Sequence, residues 1–219
     1  MRIVAFGDIH GEIYHIKGIK ELTQADWVIV TGDFTNIGGK REVEWILKEI
    51  GKYNKNILAQ LGNMDKPEVN DYLTELGINL HGYGYKLSED LGIFGVGGST
   101  FTPFNTPTEY SEQEIEDIVY RGYEMIKHLP KKILVSHTPP YNTNTDVIES
   151  GRHVGSKAIR EFIERCQPEI CLTGHIHESR NIDRIGKTLI LNPGMLSDGY
   201  ILVYKEGDII DAKLRPLVL

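Results

Sequence analysis

The sequence predicts an α/β protein whose strands are buried on both faces, and three observations predict it. Short, largely apolar runs recur at Ile3 to Phe6, Val28 to Val30, Ile57 to Leu61, Ile133 to Val135 and Ile170 to Leu172. Runs of this length without polar alternation belong to strands covered on two sides. Segments with apolar residues at helical spacing lie between them, as the crossovers of parallel strands require. Finally, each run ends, after a small residue, in a side chain with metal affinity: Asp8-Ile9-His10, Asp33, Asn63-Met64-Asp65, His137 and His175-Ile176-His177. Open α/β sheets build their sites where strands end.

The first strand follows Met1-Arg2 directly and ends in Gly7, where the chain can turn sharply. Asp8 and His10 are alternate residues, which an extended chain turns to one side. The second strand ends in Gly32-Asp33. Val43, Ile46, Leu47 and Ile50 then form a helical stripe, and the third strand closes on Gly62-Asn63-Met64-Asp65. Lys66-Pro67-Glu68 has the form of a helix start, with proline early in the helix, and Val69, Tyr72, Leu73 and Leu76 carry it to Gly77. Leu80 to Tyr83 reads as a turn containing His81. Ser111 and Glu114 form a candidate capping box for a helix through Ile115, Ile118, Val119 and Ile126, stopped by Pro130. The fourth strand ends in Ser136-His137. Ser156 is a candidate cap for a helix from Lys157, and the fifth strand ends in Gly174-His175-Ile176-His177. Thr188 to Leu191, Tyr200 to Tyr204 and Ile209 to Leu214 are expected as antiparallel strands completing a second sheet, with Asn192-Pro193-Gly194 as its turn. His15 and His128 fall on helical patterns away from the strand ends and are expected to pack or lie exposed.

Composition suits one soluble globular domain spanning 1–219: 40% of residues are hydrophobic and 25% charged, and neither a linker tract nor a repeat interrupts the chain. The formal net charge of -7 argues against a broad nucleic-acid surface or an anionic-membrane partner. Because the chain starts in a strand and carries neither a leader pattern nor a bilayer-length apolar stretch, a cytoplasmic location is expected. Cys166 and Cys171 lack the Cys-x-x-Cys spacing of redox or zinc pairs and are read as buried thiols.

A single Asp or His at a strand end is usually a turn residue or a helix cap. That reading does not account for five independent junctions. Asp8, His10, Asp33, Asn63, His137, His175 and His177 would instead meet in one crevice, as a ligand set large enough for two divalent metal ions. Mixed nitrogen and oxygen donors suit Mn²⁺ foremost, with Fe or Zn²⁺ as alternatives. Two cations roughly 3.5 to 4 Å apart can activate a water as hydroxide and stabilise in-line displacement at phosphorus. No protein nucleophile is then required.

The ordered series Asp8-x-His10, Gly32-Asp33, Gly62-Asn63-x-Asp65, His137 and Gly174-His175-x-His177 resembles the signature of the calcineurin-like metallophosphoesterase superfamily, in particular its small single-domain members. The resemblance implies a four-layer α/β/β/α sandwich with two mixed β-sheets. It also implies that Asp8, His10 and His177 hold one metal, that Asn63, His137 and His175 hold the other, and that Asp33 bridges them. Many members carry His after the motif's Asn, where it is thought to assist the leaving group; this chain has Met64. A thioether cannot donate a proton, so the metals are expected to carry the catalysis and acidic leaving groups to be favoured. Asp65, which together with Asp33 and Asn63 is assigned to the catalytic set, either orients a ligand such as His10 or caps the helix after Pro67.

Two loop segments are expected to border the crevice: Ser99 to Tyr110, with Phe101, Phe104 and Tyr110, and Tyr141 to Ser156. In the second, Arg152 and His153 are candidate substrate contacts. Arg152 and the amides opening the helix at Lys157 could receive an anionic group, or this could be an ordinary helix cap beside a solvated arginine. The leading expectation is a metal-dependent phosphoesterase acting on small phosphodiesters or phosphomonoesters. The competing class is a weakly catalytic or non-catalytic scaffold on the same fold, and a nuclease acting on DNA ends is a third. Completeness of the seven-ligand set separates the first from the second.

Overall fold

A computed structural model describes residues 1–218 of the chain. Two mixed sheets dominate it. The first holds β1 (Arg2–Phe6), β2 (Trp27–Val30) and β3 (Ile57–Ala59) in parallel, with β12 (Tyr200–Glu206) and β13 (Ile209–Arg215) added antiparallel at the β1 edge, in the order β13-β12-β1-β2-β3. The second has the order β10-β11-β9-β8-β5-β4. Its strands are β4 (Gly84–Ser88), β5 (Leu91–Val96), β8 (Lys131–Ser136), β9 (Ile170–Leu172), β10 (Asn181–Ile185) and β11 (Thr188–Asn192). A two-strand pair, β6 (Ser99–Thr100) with β7 (Glu109–Tyr110), frames one loop. The helices are α1 (Lys40–Gly51), α2 (Glu68–Glu75), α3 (Glu112–Ile126) and α4 (Lys157–Cys166).

Alternation along the strands sorts the apolar side chains into three cores. Val4, Phe6, Val28 and Val30 pack with Val43 and Ile46 of α1 and with Val69 and Leu73 of α2. Their neighbours Ile3, Ala5 and Ile29 point the other way, onto Ile93, Ile133, Val135 and Leu172 of the second sheet. Phe94, Leu134, Cys171 and Ile190 then face α3 and α4 through Ile115, Ile118, Ile159 and Phe162. The cores therefore lie between helices and sheet, between the two sheets, and between sheet and helices. Each fully buried Ile or Phe stabilises the fold by roughly 2 kcal/mol. A one-residue slip in any central strand would exchange its residues between two cores, so register is strongly specified.

The helices form where the periodicity places them. At α3 the capping box is complete, with Ser111 accepting the Glu114 amide and Glu114 accepting the Ser111 amide. At α4 Ser156 accepts the Ile159 amide.

Two expectations are corrected. The closing strands do not all complete one sheet: Thr188–Asn192 joins the second sheet, whereas Tyr200–Glu206 and Ile209–Arg215 join the first beside β1. Asn192-Pro193-Gly194 is accordingly a crossing between sheets. Both sheets offer an edge that accepts an apolar strand, and local pattern does not distinguish them. Second, β3 stops at Ala59, two residues before the end of the apolar run. One buried strand went unmarked in the sequence: β5, whose apolar run is broken by Gly92 and Gly95, lies inside the second sheet and brings β4 with it as a hairpin.

Candidate metal centre

Because β1, β2 and β3 are parallel, as are β8 and β9, each set ends at a common edge, and the chain leaves every strand through one of the short motifs. The first two exits are zipped together: the Asp8 amide donates to Gly32 O at 2.9 Å, and the Ile9 and His10 amides donate to Asp33 O at 2.8 and 3.1 Å. Asp8, His10, Asp33 and His175 all adopt left-handed backbone conformations, with φ of 47°, 48°, 52° and 68°. For residues with a Cβ this costs about 1–3 kcal/mol each, and such strain persists where the surroundings fix it, as at binding sites. Two glycines permit close approach. A Cβ on Gly62 would lie 2.0 Å from Asp33 Oδ1, and one on Gly174 would lie 2.3 Å from Asp8 Oδ2.

The side chains converge in two groups of potential ligand atoms, Asp8 with His10 and His177, and Asp33 with His137 and His175, each within 4.8 Å of one another. In the first, His177 Nε2 is 3.0 Å from Asp8 Oδ1 and 3.2 Å from His10 Nε2. In the second, His137 Nε2 is 3.3 Å from Asp33 Oδ2 and 3.1 Å from Asn63 Oδ1. With metal–ligand bonds of about 2.0–2.2 Å, neighbouring donors around one cation stand about 3.0–3.5 Å apart. Asp33 Oδ2 also lies 3.8 Å from His10 Nε2, so one carboxylate oxygen faces both groups, while its partner Oδ1 accepts the Met64 amide at 2.8 Å.

Supporting contacts fix these orientations. His137 Nδ1 faces Thr31 O at 3.2 Å, which makes Nδ1 the protonated nitrogen and leaves Nε2 free to bind a cation. The His175 amide donates to both Asp8 oxygens at 3.1 Å. Two imidazole nitrogens facing one another at 3.2 Å, as in His10 and His177, need a proton or a metal between them, and the buried His10 Nδ1 has no hydrogen-bond partner among the described residues. By donor type and by spacing, the residues fit divalent metals.

The electrostatics point the same way. Burial pushes the Asp33 carboxyl up, but His137, with His10 and the Met64 amide, holds it down at about 2. Burial lowers His137, yet Asp33, with Asp8 and Asp65 behind it, raises it to about 9. His177 is raised too, because burial is outweighed by its Asp8 partner. His175 is held at about 4 by burial and then by the neighbouring His137. A field that draws protons onto His137 and His177 attracts any cation.

Of the two parts expected of Asp65, the helix cap is not observed, and its orienting contacts run to the backbone beside Asp33 and Asn63 rather than to an imidazole. Asp65 makes no hydrogen bond to a candidate ligand histidine, and α2 begins after Pro67 without a side-chain cap. Its buried carboxylate accepts the amides of Phe34, Thr35 and Gly62 at 3.1, 2.9 and 2.8 Å and the Thr35 hydroxyl at 2.9 Å, which ties the loop after Asp33 to the turn before Asn63. Burial and then the Asp33 charge push it up to about 7.

Above the two groups lies a crevice of about 1070 Å³, with His10, Asp33, Asn63, His175 and His177 in its lining. Both loop segments border it, through Phe101 and Phe104 from one and Ile148 and Arg152 from the other. Tyr110 instead stacks on the buried His81, whose Nδ1 accepts the Gly97 amide. His153 does not line the crevice; its Nδ1 sits 2.6 Å from Asp146 Oδ1, a carboxylate that also accepts the amides of Asn142, Thr143 and Gly155. Nor are the amides opening α4 free for an anion, because Glu112 accepts from Lys157 and Ala158 at 2.9 and 3.1 Å. Sequence reasoning missed that Glu112 partner and the pair Thr106 and Glu109 behind Asn63. Neither contact follows a short motif, although Thr106 and Glu109 have the spacing of a local side-chain turn.

The family model described as calcineurin-like phosphoesterase matches residues 1–179. An uncharacterized protein of Methanocaldococcus jannaschii is 41% identical over 198 residues, which cover 88% of each chain. Among solved structures, a Thermus thermophilus protein superposes with a TM-score of 0.71 at 19% identity, covering 97% of this chain and 98% of that one. A dimetal phosphatase from Danio rerio gives 0.69 at 10% identity, covering 100% and 96%. Motifs, fold and family match agree: the chain belongs to the calcineurin-like phosphoesterase family.

Proposed function

We propose that this protein is a dinuclear metal-dependent phosphoesterase acting on small phosphodiesters or phosphomonoesters, with the whole chain serving as one catalytic domain. The observation that carries the proposal is the pair of donor groups facing a shared Asp33 oxygen at the floor of the crevice. In this reading Asp8, His10 and His177 hold one cation, Asn63, His137 and His175 the other, and Asp33 both. The donor set suits Mn²⁺ first, then Fe or Zn²⁺. When bound, such a pair supplies a hydroxide nucleophile near neutral pH and the positive charge that stabilises in-line displacement at phosphorus.

The chain's own contribution is placement. The zipped loops hold Asp8 and Asp33 in strained conformations, Thr31 sets the tautomer of His137, and Asp65 fixes the loop behind Asp33. Arg152, exposed at the crevice edge, offers a guanidinium to a phosphoryl oxygen. Met64 lines the crevice without a proton to give, so leaving groups that depart as anions are favoured. All seven candidate ligands are present, which supports hydrolysis over a scaffold role, since a scaffold is free to lose ligands.

Metal analysis of the purified protein, with hydrolysis of bis-p-nitrophenyl phosphate and p-nitrophenyl phosphate measured with and without added Mn²⁺, tests the proposal. Metal-dependent turnover that disappears in Asp33→Asn is expected. Stoichiometric metal with no turnover of either ester would favour the scaffold.

A further inference from the structure

The crevice is far larger than a phosphoryl group needs, and its upper wall is apolar. Phe101 and Phe104 are 72% and 82% exposed, with Ile37 and Met64 nearby in the same lining. Exposed phenylalanines on a loose loop would carry no meaning. This loop is braced: Glu109 Oε1 accepts the Thr102 hydroxyl at 2.6 Å, the Thr106 amide at 2.8 Å and the Thr106 hydroxyl at 2.6 Å, and the Phe104 amide donates to the Thr102 hydroxyl at 3.2 Å. Thr106 in turn accepts the Asn63 side-chain amide, so the loop that carries the two rings is tied to a candidate metal ligand. Aromatic rings carried on a braced loop beside a few polar groups are how small-molecule sites select an apolar substituent.

Charge narrows the substrate further. Glu12, Glu149 and Glu178 line the crevice against one guanidinium, that of Arg152. Away from the metals, additional anionic groups on a substrate would meet carboxylates.

Resting on the phosphoesterase reading, we propose that the substrate is an ester with a single phosphoryl group and an uncharged aromatic substituent, which Phe101 and Phe104 clamp. Phe101 and Phe104 are then specificity-determining residues.

The test is calorimetric binding of phenylphosphonate and methylphosphonate to the Mn²⁺-loaded protein, two probes of equal charge that differ in the apolar group. Phenylphosphonate is expected to bind about tenfold tighter. The ratio should fall towards one in the Phe101→Ala/Phe104→Ala variant and be retained in Phe101→Trp/Phe104→Trp. Equal affinities in the wild type, an unchanged ratio in the alanine variant, or no binding of either probe would overturn the inference. So would an alanine variant that changes only self-association in sedimentation, which would assign the rings to a second copy of the chain. Turnover of bis-p-nitrophenyl phosphate in the same preparation judges the phosphoesterase reading separately. Selective binding without turnover keeps the aromatic site and removes hydrolysis; turnover without selectivity does the reverse.

Discussion

The Thr106 hydroxyl accepts the side-chain amide of Asn63 at 3.0 Å while donating to Glu109. A carboxylate can only accept, so the hydroxyl proton is committed to Glu109 and the oxygen lone pair is left for Asn63 Nδ2. That fixes the amide with Oδ1 turned towards His137. Thr106→Val should therefore weaken binding of the second metal about 10- to 100-fold, the usual cost of losing an outer partner. Metal titration followed by calorimetry would show it, with the first site unchanged; equal weakening at both sites would argue against the relay.

Gly174→Ala should eject metal from the Asp8 group. The new Cβ would meet Asp8 Oδ2 at 2.3 Å, so the carboxylate or the loop must move. Overpacking of this kind costs about 1–3 kcal/mol. A lower metal content with a modest fall in thermal stability is expected.

Asp65→Ala should be among the most destabilising changes in the molecule. It would leave the buried amides of Phe34, Thr35 and Gly62 without their acceptor. The loss should amount to about 3–5 kcal/mol in urea denaturation. A loss below 1 kcal/mol would mean that the loops find other acceptors.

His81 supplies a pH dependence away from the metals. Burial, and then the nearby Arg121 charge, lower it to about 4 from an ordinary value of 6.5. Between those values the unfolded chain binds a proton that the folded chain does not, so stability rises with pH through this window. It should be fully present above about pH 6.5 and fall by on the order of 2–3 kcal/mol as pH drops towards 4. The slope of unfolding free energy against pH over that range should be shallower in His81→Leu, whatever its absolute stability.

Met64→His should help poor leaving groups. In the wild type, rates on alkyl phosphate esters are expected to lie far below those on p-nitrophenyl esters. A proton donor at this crevice position should raise the alkyl rates about 10²-fold and leave aryl rates nearly unchanged. Wild-type rates independent of leaving-group acidity would contradict this.

Much of the fold was legible in local sequence. Uniform apolar runs marked β1, β2, β8 and β9, helical stripes marked α1 and α2, and Ser111 and Glu114 marked the start of α3. These features are properties of a few consecutive residues. The glycine-interrupted β5 and the division of β11 from β12 between sheets were not legible, because pairing is decided by the partner edge rather than by the strand. The site divides in the same way. By itself the sequence determined which side chains stand at strand ends, and their chemistry named the divalent cations they suit. Only the tertiary structure decided that Asp33 Oδ2 faces both groups, that Asp65 clamps backbone amides, that Glu112 occupies the start of α4, and that His153 belongs to Asp146. Such contacts join residues many positions apart, and their distances are set by how sheets and loops pack, which no short window of sequence contains.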